Sequence, residues 1–444
     1  MQLPSICVQL ENDFPVPQLE PRLQRRYVQL VNEHLHSAPP LAAGPTALPR
    51  LTTAFASTQA AWRFFANDTV SLPLLLEPLL EAGRQALRDS SAQYALLIHD
   101  WSILNYHRHT AKADQILFSQ GSDRGYELAS ALLVDAATGD PLAPLEVRLR
   151  TTTAVYSTRS PAPRPSATHL DEVLPTMRAV TAQNLPRPLV HVIDCEGDSV
   201  AHLRRWHRHG HYFLVRTDGT RTVRWQDREC PLPAVVTALE QERAFGTPRK
   251  VLYHGVAATQ TVAEAEVVLS RPAYQNRNGR RKVIPGRPLR LRLVVSQVRD
   301  AGGVLLAQWC LLTNLPTTVA AQSIALWYYW RWRIESFFKL LKSAGHQVEA
   351  WQQESGAALA KRLVVACMAC VVVWQVARLP GSAGERWRSM LVRLSGRQMK
   401  HGVAFTLPAL LAGLWVLLAM TEMLHHYDLD EIQQLAVAVL PKPG

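Results

Sequence analysis

The chain has 444 residues, too many for one small core, so two to four domains or subdomains are expected. A hydrophobic share of 48% is ample for globular cores and excludes a disordered polymer. The net charge of +12 points to a polyanionic partner, nucleic acid before anionic membrane, and a chain this long and apolar is unlike a ribosomal or histone-like protein. An enzyme acting on nucleic acid is therefore the favoured class.

The N-terminal stretch MQLPSICVQLENDF lacks the basic-then-apolar pattern of a secretory signal. Pro21–His36 reads as a basic helix and Ser37–Pro49 as a Pro/Ala loop. Next comes LTTAFASTQAAWRFFANDTVSL, where Arg63 lies among Trp62, Phe64 and Phe65. These residues suit a small helical DNA-binding module, or equally a core helix whose arginine reaches out to water. Tyr94–Asp100 (YALLIHD) and Leu189–Asp194 (LVHVID) are short apolar strand-like runs, each ending in an acid. Between them, Gly125–Arg150 reads as two strands around a turn at Gly139-Asp140, Pro161–Pro165 as a loop and Leu170–Gln183 as a crossover helix. His211–Arg221 reads as a fifth strand, with Arg216 and Arg221 leaving it.

Residues 222–306 break this α/β rhythm. Strand-like runs at Val267–Leu269 and Leu289–Val298 flank RPAYQNRNGRRKVIPGRP, a loop dense in arginine with no acid. Arg290 and Arg292 alternate with leucines, which puts both on one face of a strand. Like charges gathered in this way repel unless a polyanion neutralises them, so the segment is expected to lie along a DNA backbone. Gln308–Pro316 returns to the main sheet carrying Trp309, a core aromatic or a stacking platform.

Leu326–Lys342 (LWYYWRWRIESFFKLLK) reads as one amphipathic helix. Leu326, Trp330, Ile334, Phe337 and Leu341 share one side; Tyr328, Arg331, Glu335, Lys339 and Lys342 share the other. That polar face could be merely solvated, with Glu335 in an ordinary intrahelical ion pair. Ala357–Arg378 is an apolar helix whose Cys367 and Cys370, although spaced C-x-x-C, have no second ligand pair and read as core thiols. Helices at Arg388–Arg397, Leu407–Met423 and Asp428–Val439 follow, with a broken loop at Leu394–His401. The apolar runs Leu363–Trp374 and Leu407–Met420 fall short of the ~20 residues of a membrane span. With six scattered cysteines, a soluble, reducing, cytoplasmic setting without membrane contact is expected.

A strand-end aspartate is a structural cap about as often as a catalyst. Asp100, Asp194 and a helical Glu335 together make a three-carboxylate set, the hard oxygen ligands that paired Mg²⁺ ions require. His99, next to Asp100 on a strand, should point the other way. His107 and His109 read as surface residues, and Glu196 and Asp198 as helix N-terminal charges.

The spacing Tyr328, Arg331, Glu335, Lys342 resembles the Tyr-Arg-Glu-Lys signature of bacterial insertion-sequence transposases, and more narrowly of the insertion-sequence-four family of DDE transposases. LLIHDWS around Asp100 and VIDCEGDS around Asp194 resemble that family's two aspartate motifs, with Cys195 where the second usually has an arginine. AAWRFFAN resembles its end-binding region, and the likeness spans roughly residues 50 to 378. The resemblance implies an RNase H-like α/β core, a mixed five-stranded sheet with flanking helices. Residues 1–75 would bind DNA ends, 76–221 and 307–378 form the core, 222–306 a basic β-rich insertion, and 379–444 a helical dimerisation region. It implies two Mg²⁺ (or Mn²⁺) ions on Asp100, Asp194 and Glu335. DNA contacts would come from Tyr328, Arg331, Lys342, Arg216, Trp309 and Trp332, on terminal inverted repeats and target DNA, by a homodimer associated with the bacterial nucleoid. Cut-and-paste transposition through a DNA hairpin is the implied reaction. An RNase H-like nuclease without strand transfer, and a catalytically silent DNA-binding inhibitor, are the alternatives.

Overall fold

The computed structural model describes residues 15–36, 54–118, 123–165, 168–253, 255–277 and 280–439. Cys7 and the Pro/Ala loop at Ser37–Pro49 lie outside them. The fold is mixed α/β: one large mixed sheet flanked by helices.

The strands are β1 (Ala95–Asn105), β2 (Ile116–Leu117), β3 (Arg124–Asp135), β4 (Pro141–Arg150), β5 (Val155–Ser157), β6 (Leu189–Ile193), β7 (Tyr212–Arg216) and β8 (Thr222–Trp225). They continue as β9 (Arg228–Pro231), β10 (Arg249–Tyr253), β11 (Val256–Leu269), β12 (Ala273–Arg277), β13 (Arg280–Ile284), β14 (Leu289–Asp300) and β15 (Leu305–Thr313). The main sheet runs β5-β4-β3-β1-β6-β7-β15-β14-β11-β8-β9, with β10 on β11 and β2 on β3. Around β1 the pairing is antiparallel to β3 and parallel to β6, which is parallel to β7. The parallel crossover runs through α4 (His169–Thr181), capped by the Thr168 side chain accepting the Asp171 N–H.

The sheet has 13 strands, so strands from outside 76–221 and 307–378 join those expected of the core. The β-rich segment 222–306 joins that sheet, because β14 and β11 add directly to β15 and so extend the sheet that holds β1 and β6. The arginine-rich loop folds as the β12–β13 hairpin.

Alternation along the strands assigns the faces. Val190 and Val192, Leu214 and Leu311 belong to one apolar core, which also holds α1 (Pro21–His36), α2 (Ala54–Ala66), α3 (Leu72–Arg88) and their C-terminal partners. Ile193, Phe213, Val215 and Leu312 belong to a second core, with α4, α5 (Val200–Arg208) and α6 (Leu232–Gln241). Two short helices, α7 (Ala321–Tyr329) and α8 (Trp332–Leu341), lie on the first face. They are followed by α9 (Gly356–Arg378), α10 (Gly381–Leu394), α11 (Leu407–His426) and α12 (Leu429–Val439).

α9 is the central post of the first core. It starts where the Ser355 hydroxyl accepts the Ala358 N–H, and it is apolar all round because it is packed all round, Cys367 and Cys370 included. At 23 residues it is the one helix among the described residues long and apolar enough to cross a membrane, so the shorter apolar run read from the sequence understated it. Most of it is buried inside the protein.

Candidate active site

β1 and β6 run side by side with Leu96 opposite Val190 and Ile98 opposite Val192. Counting on by two brings Asp100 level with Asp194, on the face covered by α7 and α8. The two acids therefore stand where the apolar floor stops. β6 ends at Ile193, and Asp194 is fixed by accepting the Glu196 N–H at 2.8 Å as the cap of a short 3-10 turn. β1 does not end at Asp100, as its sequence suggested, but continues along β3 to Asn105. Asp100 is held by the Trp101 N–H at 2.8 Å.

The third acid arrives on α8. Leu326–Lys342 is not one helix: it breaks at Trp330-Arg331 into α7 and α8. Around the break the hydrogen bonds span three residues, Arg331 N–H to Tyr328 O, Arg333 to Trp330 and Ile334 to Arg331. Neither Gly nor Pro causes it. Docking does: Trp327 Nε1 donates to Ala136 O at 3.0 Å and Arg333 Nε to Gly139 O at 2.8 Å, both in the β3–β4 turn.

Asp100, Asp194 and Glu335 line one cleft of about 500 Å³. Arg331, Lys339, Lys342, Trp101 and Glu349 share its walls. Arg331, only 8% exposed, bridges two of the acids, with Nη1 2.8 Å from Asp100 Oδ2 and Nη2 2.6 Å from Glu335 Oε1. Burial pushes the Asp100 carboxyl up to about 6; Arg331 and the Trp101 N–H oppose the rise, and Asp194 and Glu335 add to it. Lys342 is tied down by Ile103 O at 2.7 Å and by Glu349 at 3.2 Å.

Among the described residues no three His, Cys, Asp or Glu side chains form a ready metal cluster. With Arg331 drawn between Asp100 and Glu335, the expected ligands share a cleft without being gathered into a cage. In kind, three carboxylates suit a hard divalent cation, and no hydrogen bond engages Glu335 Oε2 among the described residues.

The remaining expected DNA contacts divide. Arg331 and Lys342 are in the cleft. Trp332 is 48% exposed, with the Arg331 guanidinium 5.2 Å from its ring. Tyr328 is not on a solvent face: the break turns it inward to 2% exposure, and its hydroxyl has no hydrogen-bond partner among the described residues. Burial pushes that phenol up to about 12. Arg216 lies behind the cleft, with Nη2 donating to Cys195 Sγ at 3.1 Å. Trp309 is half-buried among Tyr328, Tyr253 and Tyr329, outside the residues that line the cleft.

His99 points away from the acids, as alternation required, and meets His191 on the other face at 2.9 Å. Asp198, just before the Ser199 cap of α5, also anchors Arg221 through a buried ion pair. Glu349 and Trp101, which stacks on His169 with ring centroids 3.9 Å apart, were missed in the sequence. Glu349 carries no local signal, because it enters the cleft only after the chain turns at Gln347, whose φ is 47°. Part of the insertion's positive charge is met inside the protein. Arg290 and Arg292 pair with Glu266 and Glu264 of the neighbouring strand, and Arg271 with Glu229.

No protein-family model matches the chain, and no curated protein is significantly similar to it.

Proposed function

We propose that this chain is a DNA transposase of the DDE class, similar to the insertion-sequence-four enzymes. On this reading β4, β3, β1, β6 and β7 form an RNase H-like core. The observation that carries the proposal is the convergence of Asp100, Asp194 and Glu335, remote in sequence, on one cation-walled cleft. The reaction is phosphoryl transfer on DNA: water, or a DNA 3′-hydroxyl, attacks a phosphodiester in line and the 3′-oxygen leaves. Two Mg²⁺ (or Mn²⁺) ions held by the three acids would supply Lewis-acid activation of nucleophile and leaving group.

The chain's own groups bind and orient. Arg331 offers a phosphate two parallel donors, and a phosphate that takes them releases Asp100 and Glu335 from their ion pairs. Lys342, already positioned by Ile103 and Glu349, supplies a fixed point charge. The exposed Trp332 offers an aromatic face to a base flipped out of a hairpin end. Joining the freed 3′-ends to target DNA completes cut-and-paste transposition. Exposed Met420, Leu424 and Leu429 on α11 and α12 support self-association as a homodimer on DNA, in the bacterial nucleoid.

The Arg331 bridge also favours a second reading, a catalytically silent binder of element ends that inhibits transposition. The test is cleavage of a duplex carrying the flanking inverted repeats in Mg²⁺. Glu335→Gln and Asp194→Asn should lose more than about 100-fold in cleavage rate with end binding retained. Cleavage that survives in Glu335→Gln removes the assignment. Binding without cleavage by the unaltered protein establishes the silent binder, and cutting without joining of precut ends establishes a nuclease.

A further inference from the structure

A second cavity, of about 630 Å³, opens beside α8 where α9 ends and α11 begins. Arg333, Ser336 and Lys339 of α8 line it, together with Trp374 and Arg378 of α9 and Arg397 from the loop before α11. Asp140 is its one acidic lining residue. This group of cations has little acidic company in the cavity wall. The exposed Lys339 and Arg397 side chains have no ion pair or hydrogen bond among the described residues. Arg333 and Arg378 each spend a donor on the carbonyls of Gly139 and Pro141, which fixes their guanidinium groups and leaves other donors open.

Two further features favour an acceptor-rich occupant. Trp374 is 1% exposed, and its Nε1–H has no acceptor among the described residues. α11, a helix of 20 residues, starts at this wall, which adds the positive end of its dipole.

Lys339 lines both cavities. On α8 it lies in angle between Glu335 and Lys342 on one side and Arg333 and Ser336 on the other. Lys342 to Arg333 spans about 13 Å along the axis, roughly four nucleotide steps of one strand.

We infer that this cavity is a second phosphate-binding subsite, which takes the backbone of the nucleic-acid strand that leaves the catalytic cleft across Lys339. The inference rests on the nucleic-acid reading above and extends it to a place where no chemistry occurs. A free phosphate ion shares the recognition chemistry, but the cationic track running unbroken from the cleft favours a polymer.

The test is the salt dependence of binding by the full chain to a duplex of about 30 base pairs. Arg397→Gln should lower the log–log salt slope by about 1 and weaken binding roughly tenfold, evenly across sequences. Arg397→Lys should restore most of it. Arg397 is exposed, and unchanged thermal unfolding of the variant checks the fold. If the unaltered protein binds duplex and Arg397→Gln binds with the same slope, the subsite is wrong and the functional reading stands. If the unaltered protein binds no duplex at low salt, both fail. If Arg397→Gln changes only the binding of inorganic phosphate, the occupant is a free anion and the inference is overturned.

Discussion

Asp100 shows how much chemistry one residue's surroundings can impose. Its carboxyl is raised from 3.8 to about 6, so its charged form is disfavoured in the folded protein despite the Arg331 partner. A raised acid contributes stability that is full below the unfolded value, near pH 4, and lost as pH climbs through 6. Asp100→Asn, neutral at every pH, should therefore gain about 1–3 kcal/mol against urea at pH 7.5 and almost nothing at pH 4, while any DNA cleavage is lost. A loss of stability at pH 7.5 would instead make the Asp100–Arg331 pair a structural bridge. Asp194 and Glu335 were legible in the sequence, one just past an apolar strand and the other in a spaced motif. The position of Arg331 between two acids was not, since Asp100 is 231 positions away in the chain. Local pattern finds the groups that carry charge; the pairing among them is a property of the packed site.

The break between α7 and α8 is the element that aims Glu335, and it rests on a turn. Gly139 has φ +74°, and a Cβ there would stand 2.3 Å from the Trp330 ring. Gly139→Ala should then cost about 2–4 kcal/mol, from left-handed strain plus the clash, measured by chemical unfolding. A near-neutral result would show that Trp330 is free to move and that the turn does not seat the helix. The sequence reading found α1, α4, α9 and α11 closely, because each has a long periodic or uniformly apolar pattern. It read 326–342 as one helix for the same reason: nothing local signals a break that arises from Trp327 and Arg333 bonding to another element. The pairing of Arg292 and Arg290 is not legible locally, because Glu264 and Glu266 sit on β11, more than 20 positions earlier.

At the scale of the molecule, one sheet runs across positions 222 and 306. β14 pairs with β15, and β15 with β7, while Val235, Val236 and Leu239 of α6 fill the same core as Phe213 and Leu312. A protein lacking 222–304 should aggregate on size exclusion, and the fragment alone should melt without a cooperative transition. An independently folding fragment would restore the insertion as a true domain. The continuous strand order also makes these segments one sheet rather than beads on a string. From its rim at β8 and β9 the strand order leads through β11, β14, β15 and β7 to β6, whose last residue hands the chain to Asp194. A partner that grips the outermost strands would hold the same sheet that positions Asp194, without touching the cleft.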